Sequence, residues 1–113
     1  MKHLETLQHF SDIIASYDVI DVLEDERITR AKIKVTLKNY SVLWIREIHI
    51  RENLLSYSYY WLRSDNSVLV GWDNAPHHAE IETFPHHRHV GDNVESSQET
   101  TLAHVLTFIK NYL

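Results

Sequence analysis

The chain has 113 residues, 43% hydrophobic and 24% charged, with a formal charge of −5 and no cysteine. A domain of this size buries roughly two thirds of its unfolded surface in one core. This composition excludes a disordered chain, disulfides, Cys-based zinc sites and a molecule whose whole surface attracts nucleic acid.

No apolar run approaches the ~20 residues of a membrane span, and the N-terminus lacks the charged-then-apolar layout of a signal peptide. An intracellular, cytoplasmic home is the expectation. Nine histidines let the net charge move strongly between about pH 7 and pH 5.

Leu4, Leu7, Phe10, Ile14 and Tyr17 recur at helical spacing, which predicts an amphipathic helix over residues 3–16. Residues 19–26 read as a strand with Ile20 and Val22 in phase and Leu23 out of phase. Its acidic end, Glu24-Asp25-Glu26, reads as a solvated turn or a partner-docking surface.

Residues 30–38 alternate strictly, with Ala31, Ile33, Val35 and Leu37 on one face and Arg30, Lys32, Lys34, Thr36 and Lys38 on the other. The bland reading is a lysine-guarded strand that resists edge pairing. The sharper one is a basic strip for phosphates or an acidic protein.

After a turn at Asn39-Tyr40, residues 41–51 form a strand rich in Val, Leu, Trp and Ile. Arg46 shares a side with Val42, Trp44, Ile48 and Ile50, an apolar setting in which an unpaired charge is costly. A carboxylate partner such as Asp73 or Glu82 is expected, and Trp44 and Trp72 are expected to be buried.

Residues 54–63 follow as a strand with Tyr57, Tyr59, Trp61 and Arg63 on one face. Those aromatics read either as core packing or as a stacking platform for bases. Asp65-Asn66 signals a hairpin turn into residues 68–72, where Gly71 permits a bulge or a close backbone approach. Asn74-Ala75-Pro76 breaks that strand, residues 79–84 read as another, and Pro85 ends it. Residues 91–99 read as a polar loop. Thr101 is the expected N-cap of a second helix with an apolar stripe of Leu102, Val105, Leu106, Ile109 and Leu113.

The expected fold is α+β: an antiparallel sheet of five or six strands, with N- and C-terminal helices packed on one face.

The chemistry concentrates between Trp72 and His89, which hold five of the nine histidines and both prolines. The acid–base candidates are His77, His78, His86, His87 and His89. Arg88 and Arg46 would neutralise phosphate, and Asp73 and Glu82 would orient imidazoles. Cutting RNA through its 2′-hydroxyl needs such a base, acid and cation, and no metal.

A second chemistry is metal binding. His87 and His89 face one side of an extended segment, and His77 or His78 with Asp73 or Glu82 could complete a zinc or manganese site. No His-x-x-x-His on a helix and no cysteine supports it, so no metal and no cofactor is assigned. A third reading is structural. The adjacent pair His77-His78 cannot both face one site, and a histidine-rich turn often satisfies its own carbonyls.

Three blocks resemble one family closely: Tyr57-Ser58-Tyr59-Tyr60-Trp61, Trp72-Asp73-Asn74-Ala75-Pro76-His77-His78 and Glu82-Thr83-Phe84-Pro85-His86-His87-Arg88-His89-Val90. They are similar to the motifs of the TumE-type toxins of bacterial and archaeal toxin–antitoxin pairs, and the likeness spans nearly the whole chain. It implies a small cytoplasmic toxin with a cognate antitoxin as partner, often one with a helix-turn-helix. It brings no settled reaction. RNA is the expected target and a homodimer is compatible. A non-catalytic binding module and a metal-dependent hydrolase remain as rivals.

Overall fold

The computed structural model describes residues 2–113. Its elements, in order, are α1 (Lys2–His9), β1 (Ile14–Glu24), β2 (Ile28–Leu37), β3 (Val42–Ile50), β4 (Asn53–Leu62), β5 (Val68–Asp73), β6 (His87–Val90), β7 (Asn93–Ser96) and α2 (Leu102–Tyr112). All seven strands form one sheet in the order β1-β2-β3-β4-β5-β6-β7. Every neighbouring pair is antiparallel, as short connections require.

Strict alternation in β2 sends Ala31, Ile33, Val35 and Leu37 inward. Leu43 and Ile45 of β3, Tyr57, Tyr59 and Trp61 of β4, and Val70 and Trp72 of β5 join them in the core. Leu7 of α1 and the α2 stripe of Leu102, Val105, Leu106 and Ile109 complete the same cluster. Both helices therefore cover one face of the sheet, and the other face is open. The Thr101 hydroxyl caps α2 by accepting from the His104 N–H at 3.3 Å. Leu113, expected in the stripe, is exposed.

Three expectations need correction. The first helix stops at His9, and residues 14–24 are strand. Apolar residues at 10, 14 and 17 suit a helix, but Ile14 pairs with Leu37 and Tyr17 with Val35, so sheet pairing overrides the local period. Irregularities in the β1–β2 register between Ile14 and Ser16 and between Val19 and Asp21 explain why β1 alternates poorly.

The sheet has seven strands rather than five or six. Residues 79–84 are turns and a bend. The extra strands β6 and β7 form a tight hairpin in which Val90 pairs with Asn93 and Gly91 takes a φ of 58°, a conformation glycine adopts without strain.

Finally, β2 is no edge strand. β1 lies outside it, so its lysines do not guard an edge. The acidic turn is solvated, and Asp25 accepts from the N–H groups of Arg27 and Ile28.

One charge is buried beneath the helices. Glu47 accepts from the Tyr59 hydroxyl at 2.6 Å and pairs with His3 Nε2 at 2.9 Å. Burial alone would raise its pKa, but the bonds from His3 and Tyr59, with the nearby charge of His3 and His49, hold it below the usual value. A depressed carboxylate contributes stability above its unfolded pKa of about 4.3 and loses it as pH falls through the folded value. Glu47→Gln is therefore expected to cost about 1–3 kcal/mol at pH 7. Urea titrations should show the gap between wild type and variant closing below pH 4, and a gap constant down to pH 3 would contradict the assignment.

Candidate functional site

The register of the meander lines up side chains across the open face. Lys32 lies opposite Arg46, Arg46 opposite Ser58, Ser58 opposite Asp73, and Asp73 opposite His87. The adjacent row runs Lys34, Trp44, Tyr60, Gly71 and His89. Directly opposed residues share a face, so cations stand at one side of the sheet and imidazoles at the other. A cavity of about 650 Å³ spans the gap, lined by Arg30, Lys32, Arg46, Ser58, Tyr60, Asp73, His77, His78, His87 and His89 among others.

Asp73, the last residue of β5, anchors the imidazole end. It is 8% exposed. One oxygen accepts from the Ala75 N–H at 2.9 Å and lies 3.0 Å from His87 Nε2. The other accepts from the Tyr60 hydroxyl at 2.7 Å and lies 3.4 Å from His89 Nε2. His87, 2% exposed, donates from Nδ1 to the Pro85 carbonyl at 2.9 Å. His78 completes a trio of rings with centroids 4.9–5.7 Å apart, each pair set edge to face.

Burial lowers the His89 pKa, the charges of His87 and His78 push the same way, and Asp73 only partly opposes them. Burial, and then the carboxylate of Asp73, raise the Tyr60 pKa. Tyr60 is therefore a neutral hydroxyl that donates.

The turn that delivers these groups is stapled. Asn74 accepts from the Tyr57 N–H at 3.0 Å and donates to the Leu55 carbonyl at 3.0 Å, tying the break after β5 to β4. The Thr83 hydroxyl donates to the His86 carbonyl and accepts from the Ser97 N–H. Trp72 fills the core beneath. The motif's polar residues thus shape the backbone as much as they offer chemistry.

The expected site residues divide by face. His78, His87, His89, Asp73, Arg46 and the exposed His77 line the cavity. Alternation in β6 turns Arg88 away, and its guanidinium binds Glu95 at 3.0 Å. His86 also lies elsewhere: its Nδ1 is 2.8 Å from the Tyr57 hydroxyl and its Nε2 is 3.7 Å from Glu99. Glu82 is exposed on the turn.

Arg46 is not held by Asp73 or Glu82. It is exposed on the open face and, among the described residues, has no carboxylate at ion-pair distance. The buried face of β3 is the one carrying Leu43, Ile45 and Glu47.

Of the two readings of the β4 aromatics, core packing holds. Tyr57, Tyr59 and Trp61 are core, at most 3% exposed, so they cannot stack on bases. Trp44, expected to be buried, is half-buried on the open face, with Lys32 and Lys34 ammonium groups 5.4 and 5.7 Å from its ring. Trp44 and Tyr60, opposed across β3 and β4, are the aromatic pair the cavity side offers.

A sequence signal for this pair exists. Folding the hairpin symmetrically about Asn39 sets Lys34 opposite Trp44 and Lys32 opposite Arg46. Those lysines are the wet face of β2, so Trp44 and Arg46 must share it.

Gly71 is the close-approach position: a Cβ there would overlap the Tyr60 ring. The missing side chain lets that ring lie across β5 and reach Asp73. Gly71→Ala is expected to lose about 1–3 kcal/mol of stability. In a Tyr60→Ala background the same change should cost much less. Denaturation of the four proteins of this cycle checks the coupling, and an equal cost in both backgrounds would contradict the packing described.

A family model described as Toxin TumE matches residues 3–113. No curated protein and no solved structure matches. Among the described residues no helix is long and apolar enough to cross a membrane. The match covers nearly all of the chain, and the chain belongs to the TumE toxin family.

Proposed function

We propose that this toxin is half of a toxin–antitoxin pair, works in the cytoplasm, and acts on RNA laid across the open face of its sheet. The supporting observation is a set of cations without a carboxylate at ion-pair distance, among the described residues, beside a half-buried aromatic pair and a histidine cluster. Arg30 is already taken by Asp21 at 2.7 Å. Lys32, Lys34 and Arg46 have no carboxylate at ion-pair distance among the described residues, although Asp21 and Asp18 sit opposite Lys32 and Lys34 in the register. In a chain with a formal charge of −5, free cations gathered on one face suit a polyanion better than they suit the chain itself.

Strands lie about 4.8 Å apart, so Arg46 and His87, three strands apart, are separated by roughly 14 Å along their row. One phosphate cannot touch both. A single strand crossing the sheet can place backbone phosphates on Lys32 and Arg46, a base on Trp44 or Tyr60, and a further phosphodiester at the imidazoles. Stacking of this kind tolerates any base, since every base has a π-face. Binding by shape and charge, with chemistry confined to one end, fits a toxin that attacks many transcripts.

The rival reading is a binding module whose cations meet an acidic antitoxin. Toxicity separates the two, because antitoxin contacts are dispensable for killing. Lys32→Ala combined with Arg46→Ala alters only exposed and half-buried side chains on the open face and should leave the melting temperature near that of wild type. We expect the double variant to lose growth arrest on induction. Its affinity for a single-stranded oligoribonucleotide should fall by about 10-fold or more, with a shallower salt dependence as phosphate contacts disappear. A folded double variant that remains fully toxic, and binds RNA as before, would refute the placement of RNA on this face, and a protein that binds no RNA would refute the RNA reading.

A further inference from the structure

We propose that His78, His87 and His89 bind one divalent transition-metal ion of the zinc class, with Asp73 providing negative charge beside it. The proposal names a cofactor for the reacting end described above. It rests on that reading only for the ion's use, not for its binding.

Proton bookkeeping at His87 is the first argument. The Pro85 carbonyl can only accept, so Nδ1 of His87 carries the hydrogen. Nε2 is then the ring nitrogen left to face inward, 3.0 Å from an Asp73 oxygen, so an ion placed there meets an imidazole nitrogen and a carboxylate together.

Convergence is the second. One ring nitrogen from each of His78, His87 and His89 lies within 4.8 Å of the other two. A lone proton would engage one pair of atoms and gives no reason for a third imidazole. A tetrahedral ion with metal–nitrogen bonds of about 2.1 Å needs nitrogens about 3.4 Å apart. Each ring would close inward by under roughly 1 Å, within the reach of the partly exposed His78 and His89.

Outer contacts are the third. Histidine ligands typically donate their other nitrogen to a carboxylate or carbonyl, which fixes the tautomer and aims the lone pair. His87 does so to Pro85 at 2.9 Å, and His78 Nδ1 lies 3.3 Å from a Glu80 oxygen. Asp73 is itself oriented by Tyr60 and Ala75. Three imidazoles favour zinc, cobalt or nickel over magnesium or calcium, which prefer oxygen. Such an ion would polarise a phosphate oxygen brought to it across the sheet.

Titration of zinc chloride into the chelator-treated, dialysed full-length protein, without RNA, tests this. One equivalent should bind, magnesium should not compete, and cobalt(II) should give the visible absorption of a tetrahedral site. His87 is buried, so its loss would confound folding. His78→Ala and His89→Ala are the informative variants, each expected to weaken zinc binding at least about 100-fold. His104→Ala, on the exposed side of α2, should change nothing. Absence of stoichiometric binding, or zinc binding as tight in His78→Ala and His89→Ala as in wild type, overturns the proposal. The Lys32 and Arg46 double variant should bind zinc normally while losing RNA. RNA binding without stoichiometric zinc binding would sink this inference alone, and zinc binding without RNA contact would sink the other alone.

Discussion

A carboxylate 8% exposed at the end of β5 sets the terms for the histidine-lined half of this molecule. Removing an ionised carboxylate from water is costly unless hydrogen bonds or charges replace the solvent. Asp73 draws its replacements from a tyrosine on β4, a backbone N–H in the following turn and two imidazoles on β6. Each lies on a different segment, so meeting the need of one side chain fixes the relative position of three. Tyr60 reaches it only because Gly71 leaves room for the ring. A glycine, a tyrosine and an aspartate on two neighbouring strands therefore act as one unit.

The two faces of the sheet have separate tasks. The covered face holds the core and its one buried ionic network, Glu47 with His3 and Tyr59. Its side chains lie under the helices, where His3 Nδ1 is buried without a hydrogen-bond partner among the described residues. On the open face Lys32, Lys34 and Arg46 have no carboxylate at ion-pair distance among the described residues, and they stand beside half-buried aromatics. Core and open-face charge are thus divided by the period-two alternation of the strands. Arg88 illustrates the rule. It belongs to the most distinctive motif, yet its place in β6 directs it to Glu95, away from the imidazoles on either side of it.

Much of this architecture is legible in the sequence. The alternation of β2, the Asp65-Asn66 turn and the stripe and cap of α2 each report a local preference that the fold respects. The start of β1 was hidden because Phe10, Ile14 and Tyr17 satisfy a helical period as well as a sheet pairing with β2. The β6–β7 hairpin was hidden because Asn93, Glu95 and Ser96 carry little strand propensity, and long-range pairing with β5 supplies what propensity does not. At the cavity, the shared face of His87 and His89 is legible because side chains two apart on an extended segment point the same way. Trp44 and Arg46 were misplaced because both faces of β3 are rich in apolar residues and each carries a charge. Only the pairing of β3 with the lysines of β2 breaks that tie.

The central claim is that ligand meets the open face of the sheet. Three indole N–H groups offer a direct readout, since Trp44 stands on that face while Trp61 and Trp72 are core. Titrating a short single-stranded RNA into isotopically labelled protein should shift the Trp44 indole signal, the backbone of β3 near Arg46 and the ring signals of His89. Trp61 and the residues of α2 should stay nearly fixed. Shifts confined to the helical side, or an unmoved Trp44 at saturating RNA, would contradict the account.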